Sequence, residues 1–412
     1  MGDTKKFSAK IADLVLLQLA NHVPTIVGVA IASRALGASS FGVYSKAVSA
    51  AAIVALVVNF GFALTGVRAA AQSPGTGDLS RIFSEVMAAK ALLALLCLAA
   101  AIAGVLIAQP DVAWFPYAAL VLVYGAALAL APTWVFVAIH RVDRLLVPVV
   151  VVRLLSVALV AWLVRDPTDL LLYVALTAAL EVTLLLWLWQ RTHDFGVRLQ
   201  RPARGAVAAA LRGSAPVFAA AAAINLYTAS GPLIVGLAIG NEAAGYYGLA
   251  DRVRLLVLGA IGTVSQAVYP AACRVAAGAE SDRSELRKGV RVLLALAVVA
   301  SVVLWVGADL VIRMLGGAGF EPAVGLLRWM AALPLLVTAS TIVGNFQLVA
   351  NGFNAEFTWV ASVTALLGVP MLYLLARQLG LSGVGVALVA TEAVALAGML
   401  LLARQRQLRG LL

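Results

Sequence analysis

Residues 91–108 read ALLALLCLAAAIAGVLIA, with no charged side chain between Ala91 and Ala108. That length approaches the ~20 residues an α-helix needs to cross a bilayer, and the chain holds many such runs. A transmembrane β-strand would be roughly ten residues long and would alternate apolar with polar side chains. These runs do neither. In hydrocarbon, every backbone N–H and C=O of a lipid-facing segment needs an internal partner, so long uniform apolar runs point to helices. Composition agrees, with 63% hydrophobic and 12% charged residues, against about 25% charged in a soluble domain.

Breaking the runs at Gly, Pro and charge clusters predicts twelve helices, near 11–33, 43–66, 85–108, 114–138, 145–164, 169–190, 214–238, 246–269, 290–315, 322–350, 357–377 and 383–403. The first follows MGDTKKFSAK and carries Gln18, Asn21, His22 and Pro24 near its centre. It lacks the uniform apolar core of a cleavable signal and reads as a retained helix. Most of the 30 Lys and Arg fall at the two ends and in alternate loops, including Arg191, Arg198, Arg201, Arg204 and Arg212. The intervening loops hold only Arg34, Arg165, Arg313 and Arg377. Positive charge marks the cytoplasmic side, so both termini are expected there. The net charge of +11 is thereby topological, and no motif for reading nucleic acid accompanies it. Cys97 and Cys273 provide no disulfide or metal framework.

LGASSFGVYS at 36–45 is echoed 203 residues later by IGNEAAGYYG, with Gly37, Gly42 and Tyr44 recurring as Gly240, Gly245 and Tyr247. Thr25 matches Thr228 and His22 matches Asn225 at the same offset, and Glu181 matches Glu392 at 211. Six spans precede the basic linker and six follow. An even number per half relates the halves by an axis along the membrane normal, the parallel type of transporter repeat. The expected organisation is a first lobe over 1–190, a cytoplasmic basic linker over 191–212 and a second lobe over 213–412. In each repeated phrase Gly permits a tight turn, and Tyr suits the membrane interface at the start of the next helix.

LGASSFGVYSKAV followed by NFGFALTGVRAAA resembles the bacterial O-antigen and polysaccharide flippases of the multidrug/oligosaccharidyl-lipid/polysaccharide exporter superfamily. The matching positions are Gly37, Gly42 and Tyr44, then Gly61, Phe62, Leu64, Thr65 and Arg68. The stretch from Ile239 to Arg274, with Pro270, and GLSGVGVALVATEA, with Gly380, Gly383 and Glu392, resemble later segments of that family. Many of its members carry an acidic residue where Asn59 stands here. The resemblance implies a fold like the multidrug-and-toxin (MATE) exporters. It implies transport of an undecaprenyl-pyrophosphate-linked oligosaccharide from the cytoplasmic to the periplasmic leaflet of a bacterial inner membrane, without a cofactor. A polymerase and a ligase would act on the flipped product, and the transporter itself is expected to be a monomer.

Gln18, Asn21, His22 and Thr25 form one helical stripe, which should face the bundle interior either as interhelical glue or as cavity lining. Lys46, Lys90, Arg153, Arg252, Arg254 and Arg328 fall inside predicted spans. Near a helix end such side chains snorkel to the interface, the reading for Lys46 and Arg328. Arg can clamp a pyrophosphate through paired hydrogen bonds. The substrate-contact candidates are Lys46, Lys90, Arg153, Arg252 and Arg254, with Asn21, His22 and Asn225. Asp251 precedes Arg252 and reads as its neutralising partner, leaving Arg254 the freer cation. Glu181 and Glu392 lie near mid-span, where carboxyls are natural proton or sodium binders. Symmetric structural hydrogen bonds are the competing reading.

No Walker-type phosphate loop is present, and His22, His140 and His193 are not spaced as metal ligands. A membrane glycosyltransferase or polymerase would need an outer catalytic loop, but QPDVA, RDPTD and GNEAA are only a few residues long. The closer alternative is an ion-coupled multidrug exporter of the same fold. Intramembrane cations outnumber intramembrane carboxylates, which suits an anionic substrate better than a cationic drug. The driving force, a proton, sodium or substrate gradient, is left open.

Overall fold

The computed structural model describes residues 2–72, 76–108, 115–279 and 282–406, and for 2–23, 76, 104–108, 220, 221, 223 and 224 the helix path alone. In chain order the α-helices are α1 (Gly2–Asn59), α2 (Phe62–Gln72), α3 (Thr76–Ala108), α4 (Phe115–Leu130), α5 (Thr133–Ala138), α6 (Asp143–Leu163) and α7 (Leu170–Asp194). Then follow α8 (Ala206–Ile239), α9 (Asn241–Ala276), α10 (Arg283–Gly316), α11 (Pro322–Met330), α12 (Leu333–Thr341) and, after a π-helical stretch over Ile342–Val349, α13 (Asn354–Gln405). Among the described residues, nine helices are long and apolar enough to cross a membrane. Large apolar side chains such as Leu95, Leu186, Val306 and Trp359 stand more than half exposed. Hydrocarbon is their solvent, and the chain is an all-helical, multi-pass membrane protein.

Several predicted spans share one helix or are interrupted inside. The first two lie in α1, whose backbone leaves helical geometry at Gly37 (φ 71°), and the last two lie in α13, broken at Gly380 (φ 61°). The backbone stays helical through Pro24, and the break in α1 falls at Gly37. The predicted 43–66 span ends early because Phe60 and Gly61 take φ of 43° and 79°. The predicted 114–138 span stops at Leu130 and restarts at Thr133, since Pro132 has no N–H to continue the ladder.

The chain packs as two compact units, Met1–Leu36 with Tyr44–Ser230 and Gly37–Val43 with Gly231–Leu412. The linker 191–212 that the sequence reading places between lobes lies within the first unit. The reason is local: the early part of α8 is bound to that unit. Ser214 shares a 2.8 Å hydroxyl contact with Thr65, Phe218 stacks on Phe60 at 4.4 Å, and the Ala229 carbonyl accepts from Ser49 at 2.5 Å. The first unit's core gathers Phe62, Phe83, Trp134, Phe136 and Leu188; the second's gathers Leu286, Leu293, Ile342 and Phe346. Between helices already in lipid, close packing rather than transfer from water holds such cores.

The repeated phrase finds its explanation in the second unit. Gly37 and Gly240 both take positive φ (71° and 99°), which glycine adopts without steric cost. Gly42 and Gly245 serve another purpose. A Cβ on Gly42 would lie 1.7 Å from the Asn241 carbonyl oxygen, and one on Gly245 would lie 2.2 Å from that of Ala38. Each copy of the phrase is packed backbone to backbone against the other. Phe320 closes the contact, meeting Phe41 at 6.0 Å and Tyr246 at 5.8 Å, both edge-on. The interfacial reading of the tyrosines is corrected: Tyr44 and Tyr247 are both buried. Tyr44 packs on Tyr173 at 4.4 Å, and Tyr247 fills the slot left by Gly231, where a Cβ would come within 2.3 Å of its hydroxyl.

Gly42→Ala is expected to destabilise the protein by about 1–3 kcal/mol, the range for overpacking a filled site. The backbone carbonyl it meets cannot rotate away. Gly262→Ala, where a Cβ meets nothing within 4 Å, should leave the melting temperature in detergent unchanged. Equal melting of the two variants would refute the close contact.

Candidate functional site

An ionised group inside an apolar bundle must find partners, and the helices bring the predicted intramembrane charges to specific ones. On α3, Lys90 is only 1% exposed. Its Nζ donates to Asn59 Oδ1 at 2.9 Å and to the Ala129 carbonyl at 2.6 Å. That carbonyl lies where α4 ends and the helical ladder stops. The adjacent orphan, the Leu130 carbonyl, accepts from Trp189 Nε1 at 3.1 Å. Lys90 therefore ties the end of α1, through the Asn59 side chain, to the end of α4, where the helix break leaves a carbonyl to be satisfied. Both its described partners are neutral.

Arg153 on α6 and Glu181 on α7, expected separately as a substrate-contact cation and an ion-coupling acid, form one ion pair. Nη1 lies 2.5 Å from Oε1, with Glu181 5% and Arg153 21% exposed at the side chain. In the second unit, Arg254 pairs with Asp251 rather than standing free. Its Nη2 and Nε lie 2.6 and 2.8 Å from Asp251 Oδ1. The expectation that Asp251 neutralises Arg252 is thereby corrected. Residues three apart share a helix face, whereas adjacent residues do not. Glu392, half-buried on α13, faces the charge of Arg254. No described residue hydrogen-bonds its carboxyl. Each unit thus sets an intramembrane glutamate against an arginine; the glutamates, though not the arginines, are related by the 211-residue offset.

Lys46 and Arg252 are half-buried and Asn225 is exposed. The side chains of Asn21 and His22 lie outside the described residues. Arg328 stands 5.9 Å from the Trp305 ring centre. Among the described residues, no group of three or more His, Cys, Asp or Glu is placed to hold a metal. The spacing rule could have found Asp251–Arg254. Nothing in the sequence pointed to Arg153–Glu181 or to the acceptors of Lys90.

Closely similar folds occur among solved transporters. The chain superposes on an inward-facing multidrug resistance MATE family transporter of the MOP superfamily with TM-score 0.70 at 16% identity, over 96% of this chain and 98% of that one. It superposes on the lipid II flippase MurJ in an inward closed conformation with TM-score 0.71 at 14% identity, over 95% and 87%. The fold is therefore that shared by these multi-pass proteins. Residues 7–275 match the family described as "Polysaccharide biosynthesis protein", and the chain belongs to it. Two proteins named "Putative O-antigen transporter" are similar throughout. That of Shigella dysenteriae is 22% identical over 94% of this chain and 97% of its own, and that of Escherichia coli K12 is 22% identical over 98% and 99%.

Breaking a buried ion pair by removing one partner leaves an uncompensated charge, at a cost of about 3–5 kcal/mol. Glu181→Gln should fall at the low end of that range, because Arg153 is only partly buried. The double variant Arg153→Met/Glu181→Gln should recover most of the lost melting temperature. Additive losses in the double variant would show that the two side chains do not form a unit.

Proposed function

We propose that the protein is a flippase that turns an undecaprenyl-pyrophosphate-linked oligosaccharide, an O-antigen or exopolysaccharide repeat unit, from the cytoplasmic to the periplasmic leaflet of the inner membrane. It is a transporter and not an enzyme. The observation that carries this reading is membership of the polysaccharide biosynthesis family, with full-length similarity to proteins named as O-antigen transporters. The proposed arrangement is twelve spans in two six-helix lobes with both termini in the cytoplasm, working as a monomer by alternating access. The break at Gly37 within α1 and that at Gly380 within α13 support the count of twelve.

The charged pairs suit a passing diphosphate. An anionic oxygen can compete with Glu181 for Arg153, or with Asp251 and Glu392 for Arg254, and arginine's planar fork binds such oxygens bidentately. A carboxylate released in that exchange would take up a proton or a sodium ion, which couples the substrate to an ion gradient. The MATE neighbour makes multidrug export the second reading. Its fold match is as good as that of MurJ, so fold does not separate them, whereas the family match favours glycan transport.

A strain lacking the gene should accumulate lipid-linked oligosaccharide on the inner leaflet and lose the corresponding surface glycan, with both restored by the wild-type gene. Unchanged surface glycan and no trapped intermediate would rule out the flippase reading.

A further inference from the structure

The short helix α2 reads FALTGVRAAAQ, and Thr65, Arg68 and Gln72 fall on one of its faces at helical spacing. That face borders a pocket of about 370 Å³ in the first unit, closed on the other sides by α3 and the start of α8. The volume lies within the roughly 300–1,000 Å³ of small-ligand sites. The lining mixes hydrogen-bonding groups with apolar ones and differs from the lipid-facing surfaces. On one wall the hydroxyls of Thr65 and Ser214 are 2.8 Å apart, with Ser214 2% exposed. On another, Arg81 lies 3.3 Å from Glu85 and 3.4 Å from Asp78, so its charge is already met.

Arg68 is different. Among the described residues neither Arg68 nor Gln72 has an ion-pair or hydrogen-bond partner, although both line the pocket. A guanidinium offers five donors in a planar fork that matches phosphate oxygens. Arg68 and Gln72, both exposed, thus offer the pocket a guanidinium with no ion-pair partner among the described residues and a primary amide, beside the hydroxyls of Thr65 and Ser214. Phe62, Ile82 and Val86 line the same pocket, so apolar surface adjoins these polar groups, as the headgroup site of an amphiphile would need.

We propose that this pocket binds the phosphate-bearing headgroup of an anionic lipid, with Arg68 gripping the phosphate and Gln72 and the Thr65–Ser214 pair contacting the hydroxyls beyond it. That the lipid is the transported glycan diphosphate rests on the flippase reading; the chemistry of the pocket does not. The pocket shares no lining residue with the Arg153 and Arg254 ion pairs, and it would hold the head before or after translocation.

Purified protein in phosphatidylcholine nanodiscs would be titrated with farnesyl diphosphate and with inorganic pyrophosphate, and titrated again in discs containing phosphatidylglycerol, reading the melting temperature. A ligand that binds only the folded state raises it, and the rise grows with the logarithm of ligand concentration above Kd. Farnesyl diphosphate should raise the wild-type melting temperature with that logarithmic dependence, and Arg68→Gln should displace the curve to roughly tenfold higher ligand concentration or more. Gln72→Ala should weaken it less, and Arg165→Gln, outside the pocket, not at all. A weaker response to pyrophosphate would assign the head to a lipid, and loss of the farnesyl diphosphate response in phosphatidylglycerol would assign it to ordinary phospholipid. The proposal is overturned if no probe stabilises the protein, or if Arg68→Gln responds as wild type does. Should the deletion strain trap no lipid-linked oligosaccharide while the Arg68-dependent response persists, the flippase reading fails and the pocket stands.

Discussion

A charge or a bare peptide group carried into hydrocarbon is costly until something in the protein meets it. Much of this architecture follows from that constraint. Where Pro132 interrupts the helical run after α4, side chains from elsewhere supply the missing hydrogen bonds. Lys90 and Trp189 do so for the consecutive carbonyls at the end of α4. Two arginines within spans are met by carboxylates, Arg254 by Asp251 on the same helix and Arg153 by Glu181 on the neighbouring one. The bundle is specified less by its apolar residues, which lipid would accept anywhere, than by these few polar obligations.

That logic also separates what was legible in the sequence from what was not. The apolar runs announced the membrane and the approximate positions of the helices, because helix length is dictated by bilayer thickness. The interruptions inside the spans were harder to read. Pro132 gave a visible signal, but Phe60 did not, since a positive φ at a bulky residue is imposed by its surroundings. The paired charges show the same division. Asp251 and Arg254 share a helix, and their spacing holds the answer. Arg153 and Glu181 meet across helices 28 residues apart, and no local pattern encodes such a meeting.

Asn59 illustrates how a departure from a family pattern acquires physical meaning. An acidic residue is common there in the family the sequence resembles, and beside Lys90 it would make an ion pair. The amide keeps the hydrogen bond at 2.9 Å and gives up the charge. The ammonium is then held by two neutral acceptors.

The two copies of the repeated phrase meet at Gly42 and Gly245, each against the other's main chain. Duplicated segments ordinarily drift apart because each is free to explore its own substitutions. Here that freedom is withdrawn: a methyl group gained by either copy collides with the main chain of the other, and a second methyl would add a collision without relieving the first, so both positions are held at glycine.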